Sequence, residues 1–162
     1  MKIFQKDPVK GWNLVCVVLL IALLITQFLP FWQYGSQGET VSIAGFVWLL
    51  TDHDAVSGYL SEGTGTAITV NDVFAPAVLI LIAAITGIFF CLWKKESGWV
   101  SMVPLIAGAL GFWQYLGKAA YRMGIGWGCH FALCVLLLLI AGWRLCACCI
   151  EYAREKQVDA AH

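Results

Sequence analysis

The chain has 162 residues and carries few charged side chains for its length. Apolar residues make up 60% of it and charged residues 12%, whereas a soluble domain carries about 25% charged residues. Basic and acidic residues number ten each, so the net charge of zero gives no reason to expect nucleic acid as a partner. The composition therefore favours an integral membrane protein that has the lipid bilayer as its first partner.

Four long runs contain no Asp, Glu, Lys or Arg. The hydrocarbon core of a bilayer is about 30 Å thick, and a helix crosses it in roughly 20 residues. Each run is apolar on every side, as expected of a helix that faces lipid and other helices. We therefore predict an all-α integral membrane protein, a single membrane domain over residues 1–162 that forms a four-transmembrane-helix up-down bundle. The predicted spans are residues 12–32, 73–93, 98–116 and 125–143.

Aromatic and basic residues mark the ends and the direction of these spans. Eight basic residues flank one side of the spans, and only Lys118 and Arg122 lie on the other. Because cytoplasmic loops hold the excess of Lys and Arg, we expect a multi-pass protein of the cell (plasma) membrane, with the N- and C-termini and the tail 144–162 in the cytoplasm. Seven of the eight tryptophans lie at or near a span end, where amphipathic rings prefer to sit: Trp12, Trp32, Trp93, Trp99, Trp113, Trp127 and Trp143.

The outer loop, residues 33–72, is the longest segment outside the spans. Thr40 to Leu50 is rich in β-branched and aromatic residues, and Ala67 to Val70 is a candidate partner strand. Thr51 to Asp54 resembles a helix start, because a Thr or Asp oxygen accepts free N–H groups of the first turn. We therefore expect a small folded extracytoplasmic cap, a β-hairpin or a short helix, between helices 1 and 2.

An apolar stretch of this loop is the predicted partner-binding surface. It is too short to cross a bilayer and too apolar to stand in water, so it should cover the outer rim of the helices or occupy a partner's groove. Loops on rigid scaffolds often carry function. The residues are Phe46, Val47, Trp48, Leu49 and Leu50, together with Tyr59 from the following apolar face.

The carboxylates and imidazole of Asp52, His53 and Asp54 are suitable ligands for a divalent cation. Three adjacent residues at a helix start cannot all point at one ion, and capping explains two of them. We expect no metal site and no cofactor. The sequence also lacks a phosphate-binding Gly-Lys motif, a nucleophile elbow and a His-Glu-x-x-His motif, so we expect no catalytic residues and no enzyme.

Two of the polar residues inside the predicted spans are candidate hydrogen-bond partners of each other. Gln114 and His130 are near the outer ends of spans three and four. A polar side chain in lipid needs a hydrogen-bond partner, so we expect these two to meet. A proton-handling role is possible for an intramembrane histidine, but the absence of a carboxylate in any span favours a structural role.

Small residues four apart mark predicted close contacts between helices. Ala107 and Gly111 form one such pair in span three, and Gly124 and Gly128 form another at the start of span four. This spacing allows two backbones to approach closely. It serves either internal packing or a partner helix.

Seven cysteines are present, but none lies in the outer loop, so no disulfide framework is expected there. The three thiols Cys146, Cys148 and Cys149 lie just inside the membrane and are candidates for acylation. Together with Cys16 or Cys91 they are also candidate ligands for a soft metal ion. Unreactive small side chains at a helix end are the simpler interpretation. The neighbouring Arg144 is expected to extend to the inner headgroups.

Two functions remain open. The first is a non-catalytic accessory or interaction module whose outer loop contacts a membrane protein partner. The alternative is a homo-oligomeric channel or small-solute carrier, because four helices alone leave little room for a pathway. The layout resembles that of claudin-like tetraspan proteins, whose first loop has a tryptophan signature with two cysteines. No cysteine lies near Gly45–Trp48, so no function is carried over.

Overall fold

The structure is a computed structural model with four α-helices in the part of the chain that it describes, which confirms the predicted all-α class. The helices are α1 (Pro8–Thr26), α2 (Val70–Trp93), α3 (Met102–Leu116) and α4 (Ile125–Asp159). The described residues are 8–36, 39–44, 61, 70–94, 97–116 and 124–159.

The helices contact one another in cyclic order: α1 packs on α2, α2 on α3, α3 on α4, and α4 on α1. The turn between α2 and α3 is short, with the N–H of Ser97 donating to the carbonyl of Lys94 at 2.8 Å. One 3-10 turn, Gly98–Ser101, then leads directly into α3. A connection this short makes α2 and α3 neighbours, as the sequence predicts.

The first predicted span, residues 12–32, was wrong at its C-terminal end, because the helix stops six residues earlier. The α1 helix ends at Thr26, whose hydroxyl donates to the carbonyl of Leu23 at 2.7 Å. A turn follows over 27–29, and Pro30 begins a strand. Proline has no N–H to continue a helical hydrogen-bond ladder. The run 12–32 therefore changes from helix to strand although it is apolar throughout.

A β-hairpin follows α1 and consists of β1 (Pro30–Ser36) and β2 (Glu39–Ala44). The strands are antiparallel, with Tyr34 opposite Val41. The strand β2 pairs with β1. Of the predicted partner strand, Ala67 to Val70, residues 67–69 lie outside the described residues, and Val70 is the first residue of α2. Pairing across two intervening residues closes a much shorter loop, and short loops cost less chain entropy.

The last two helices also differ from the predicted spans. Pro104 lies in the first turn of α3, after the 3-10 turn, where a missing N–H costs little. A kink, which a proline in the first third of a predicted span would favour, is replaced here by a change of helix type before the proline. The α4 helix does not end at Trp143 but continues to Asp159, with 35 residues. At 1.5 Å per residue its length is about 52 Å, which exceeds the thickness of a bilayer core.

One helix in the described part of the chain, Ile125–Val158, is long and apolar enough to cross a membrane. Three shorter apolar helices accompany it, at Gly11–Thr26, Ala77–Trp93 and Gly98–Trp113. Large apolar side chains are exposed on all four helices. By contrast, several polar side chains are buried between the helices: Asn13, Thr26, Ser101, His130 and Arg144.

Candidate functional site

The base of the hairpin is held against α4 by aromatic packing. Phe31 is fully buried, with its ring centroid 5.6 Å from that of Trp127 and 5.2 Å from that of His130, both in edge-to-face geometry. Trp127 is also buried, although its position near a span end predicts an interfacial ring. We call Phe31, Gly124, Gly126, Trp127 and His130 the hairpin root.

Two glycines allow the chain to approach this closely. The N–H of Gly124 donates to the carbonyl of Phe31 at 2.8 Å. A Cβ atom on Gly124 would overlap the carbonyl oxygen of Pro30, and one on Gly126 would lie 2.7 Å from the Cβ of Leu29. Both contacts are with backbone or with the first side-chain atom, which cannot rotate away. The hairpin root therefore requires glycine at both positions.

His130 joins the hairpin root to the end of α1. Its Nδ1 atom lies 3.2 Å from the Nε2 atom of Gln27 and 3.5 Å from the hydroxyl of Thr26. Because amide nitrogens donate, Nδ1 accepts the hydrogen bond from Gln27. The proposed meeting of His130 with Gln114 stays a prediction, since the backbone of Gln114 lies in α3 but its side chain is outside the described residues.

Small residues between α3 and α4 occupy the positions of closest approach. Ala107 is fully buried, and a Cβ atom on Gly111 would overlap the sulfur of Cys134. Gly124 contacts the hairpin rather than a helix. Gly128, in contrast, has open space around the position of a Cβ atom. The two members of the Gly124 and Gly128 pair therefore have different surroundings.

The inner end of the helices contains a second polar cluster. Arg144 is buried against the 3-10 turn, and its reach to the headgroups stays a prediction. Its Nη2 atom would lie 3.4 Å from a Cβ atom on Gly98. Nearby, the amide of Asn13 donates to the carbonyl of Ser97 at 3.5 Å. Contact with the 3-10 turn, which no sequence pattern reveals, draws the arginine inward.

The cysteines separate into buried and exposed groups. Cys146 and Cys149 are exposed near the inner end of α4, and Cys148 is partly buried beside Gly98. No group of three or more metal-ligating side chains occurs among the described residues, so the soft-metal interpretation has no support there. The other buried thiols are Cys16, Cys91 and Cys134.

An apolar layer separates the two polar clusters. It contains no polar side chain other than the thiol of Cys134, and every member is almost fully buried. Water and ions find no hydrogen-bonding groups there. The layer consists of Leu20, Leu23, Ile80, Ala84, Ala107, Cys134 and Leu137.

The predicted partner-binding residues of the outer loop, Phe46–Leu50 and Tyr59, lie outside the described residues, as do Asp52, His53 and Asp54. No known family model, curated protein or solved structure matches this chain. Its function is therefore inferred from its own residues.

Proposed function

We propose that this chain is a four-span protein of the cell membrane that acts as a non-catalytic accessory or interaction module. Its outer loop contacts a membrane protein partner, and both termini are cytoplasmic. The observation that carries the membrane placement is the distribution of polarity, with polar side chains between the helices and large apolar side chains on their outer faces. A soluble monomer rarely exposes contiguous apolar surface of this extent.

The outer face of α1 illustrates this distribution. Four large apolar side chains of α1 recur at intervals of three or four residues, so they share one side of the helix, and Phe28 in the following turn continues the spacing. All five are exposed, and Phe28 is 67% exposed. Lipid tails solvate such a face at little cost, whereas water does not. These residues are Leu14, Val18, Ile21, Ile25 and Phe28.

Helix length supports four spans. At 1.5 Å per residue, the 19 residues of α1 extend about 28 Å and the 24 residues of α2 about 36 Å. The 3-10 turn and α3 together extend about 30 Å. Each length is close to the roughly 30 Å of a hydrocarbon core. The α4 helix crosses the bilayer and continues into the cytoplasm.

The hairpin root supports an interaction function for the outer loop. Residues 45–69 begin directly after β2 and end at α2, so both attachment points belong to packed elements. A loop held in this way presents its side chains at lower entropic cost than a free one. The apolar residues 46–50 lie within two to six positions of the end of β2 in the sequence, and under this proposal they are the segment to which a membrane partner docks.

Transport within a single chain is disfavoured. The apolar layer closes the space between the helices, and it lacks the polar groups that line a pathway. A channel or carrier would need its pathway between protomers. We therefore keep the interaction module as the proposed function.

Labelling of engineered single-cysteine variants tests the topology. With a membrane-impermeant maleimide on intact cells, we expect Glu62→Cys to be labelled and native Cys149 to be protected until the membrane is permeabilised. A variant that keeps only Cys134, which is fully buried, should resist labelling until the protein is denatured. Labelling of Glu62→Cys and Cys149 from the same side would contradict the proposed orientation.

Cross-linking in native membranes tests the interaction. Because truncating an apolar anchor often costs 2 kcal/mol or more of binding energy, we expect the triple change Phe46→Asn, Trp48→Asn and Leu50→Asn to reduce partner recovery by about tenfold or more. The control changes Thr64→Asn and Thr66→Asn in the same loop. Equal recovery from both variants, or no partner with the native chain, would contradict the proposal.

A further inference from the structure

Two thiols are exposed on the inner part of α4. Cys146 and Cys149 are both exposed and lie three residues apart, so they are neighbours on the surface of the helix. Cys148 is only partly buried, but it points toward the 3-10 turn, because a Cβ atom on Gly98 would lie 3.2 Å from both its Cβ and its Sγ atom. One helical turn therefore carries two accessible thiols and one that packs against protein.

Aromatic rings indicate the depth of these thiols relative to the membrane. Trp143 packs edge to face on Trp12, with 5.1 Å between ring centroids, and Tyr152 follows Cys149 by three residues. Trp and Tyr side chains prefer the membrane interface. At 1.5 Å per residue, Cys146 and Cys149 lie about 4.5 and 9 Å beyond Trp143 along the axis. Both thiols are therefore at the level of the inner headgroups.

The side of α4 that carries Cys146 continues toward the bilayer centre as an apolar surface. Leu139 and Trp143 precede Cys146 by seven and three residues, so the three side chains share one side of the helix. Both apolar side chains are exposed. A fatty acyl chain on the sulfur of Cys146 would extend along them among the lipid tails, where each buried methylene group contributes favourably.

We propose that Cys146 and Cys149 are S-acylation sites, which accept a long-chain fatty acyl group from an acyl-coenzyme A thioester. The cysteine thiolate is the nucleophile. Its sulfur attacks the thioester carbonyl carbon, a carbon–sulfur bond to the cysteine forms, and the bond from that carbon to the sulfur of coenzyme A breaks. The coenzyme A thiolate leaves and takes up the proton that the cysteine released. No atom is oxidised or reduced.

Donor and acceptor meet at one depth. The acyl chain of the donor enters the lipid tails, while its charged coenzyme A group stays in water, so the thioester lies at the headgroups. A reacting pair held at the same level has a higher effective concentration than the same groups in solution. The inference rests on the membrane placement and cytoplasmic orientation under the proposed function, because charged coenzyme A reaches these thiols from the cytoplasm.

Mass spectrometry of the full chain from native membranes tests the modification. Neutral hydroxylamine cleaves thioesters, so we expect it to lower the intact mass by one or two fatty acyl groups. The double change Cys146→Ser and Cys149→Ser should abolish this loss of mass, and the matched control Cys148→Ser should preserve it. A native chain without hydroxylamine-labile mass, or equal loss in the two variants, would overturn the proposal.

Reaction with palmitoyl-coenzyme A tests the choice of thiol. Variants that keep one cysteine each are reconstituted in phosphatidylcholine vesicles. We expect the chain with only Cys148 to be acylated about tenfold more slowly than those with only Cys146 or only Cys149, because a packed group reacts after local opening. Equal rates for the three variants would show that exposure does not select the site, which would also overturn the proposal.

Hydroxylamine separates failure of this inference from failure of the proposed function. The maleimide experiment is run with and without it, because an acylated Cys149 is labelled in permeabilised cells only after the thioester is cleaved. Full labelling without hydroxylamine would overturn acylation and leave the cytoplasmic orientation standing. Labelling of Cys149 in intact cells would instead contradict the orientation, and the inference with it. Labelling restored by a reductant alone would identify a disulfide and overturn the proposal.

Discussion

Gly126→Ala is expected to lower the free energy of unfolding by about 1–3 kcal/mol, the usual cost of adding a methyl group to a filled site. The new Cβ atom would lie 2.7 Å from the Cβ of Leu29, 2.8 Å from the carbonyl oxygen of Pro30 and 2.9 Å from the ring of Phe31. The Pro30 oxygen belongs to the backbone, and the Leu29 Cβ is attached directly to it, so neither atom can rotate away. Relief therefore requires the hairpin to move away from α4.

Gly128→Ala is the matched control. It lies two residues further along the same helix and has open space around the position of a Cβ atom. Because alanine is a better helix former than glycine, it should raise the unfolding free energy by about 0.5–1 kcal/mol. Unfolding in mild detergent, followed by circular dichroism, measures both changes. Equal effects of the two substitutions would contradict a tightly packed hairpin root.

The Gly126→Ala variant also tests whether the hairpin root positions the outer loop. If the hairpin moves, residues 46–50 lose their fixed attachment although their sequence is unchanged. We therefore expect Gly126→Ala to reduce partner recovery in the cross-linking experiment, and Gly128→Ala to preserve it. Reduced stability with unchanged recovery would show that the loop acts independently of the hairpin root.

Leu136→Lys is expected to lower the amount of protein in the membrane fraction. Leu136 is 44% exposed on the outer face of α4, near the middle of the predicted span. A lysine at the centre of a spanning helix costs about 2.5–3.5 kcal/mol in insertion. Quantification of full-length protein in membranes after high-speed centrifugation measures the loss.

Ile150→Lys provides the comparison on the same helix. Ile150 is also an exposed, large apolar residue, but it lies seven residues beyond Trp143, about 10 Å further along the axis. We expect no loss from the membrane there, because the lysine reaches water. If α4 were surrounded by water, both substitutions would be tolerated and would increase solubility. Equal tolerance of the two would therefore exclude the membrane placement.

Several features of the fold follow directly from the sequence. The end of α2 at Trp93 and the beginning of α4 at Ile125 coincide with the predicted span ends. At Trp93 the uncharged run ends because two lysines follow it. At Ile125 the next uncharged run begins directly after a glycine. Such signals are local, since a charged or helix-breaking residue acts on the turn in which it lies.

Other features are absent from local patterns. Residues 27–32 are as apolar as the helix before them, yet they leave α1 and bring Phe31 against Trp127 and His130. The residues next to the ring of His130, Thr26 and Gln27, come from the end of α1 and the turn after it, more than 100 positions away in the chain. Thr26 and Gln27 were the available signal, as two consecutive polar residues near the end of a span.

By itself, the sequence determined the all-α class, the four apolar helices and some of their bounds, because these depend on composition within a single turn or run. Only the tertiary structure decided that Arg144 is buried, that β2 pairs with β1 and that glycine is required at positions 124 and 126. Each of these depends on which remote atoms fill the space beside a residue. That is a property of packing between elements, and a one-dimensional pattern does not contain it.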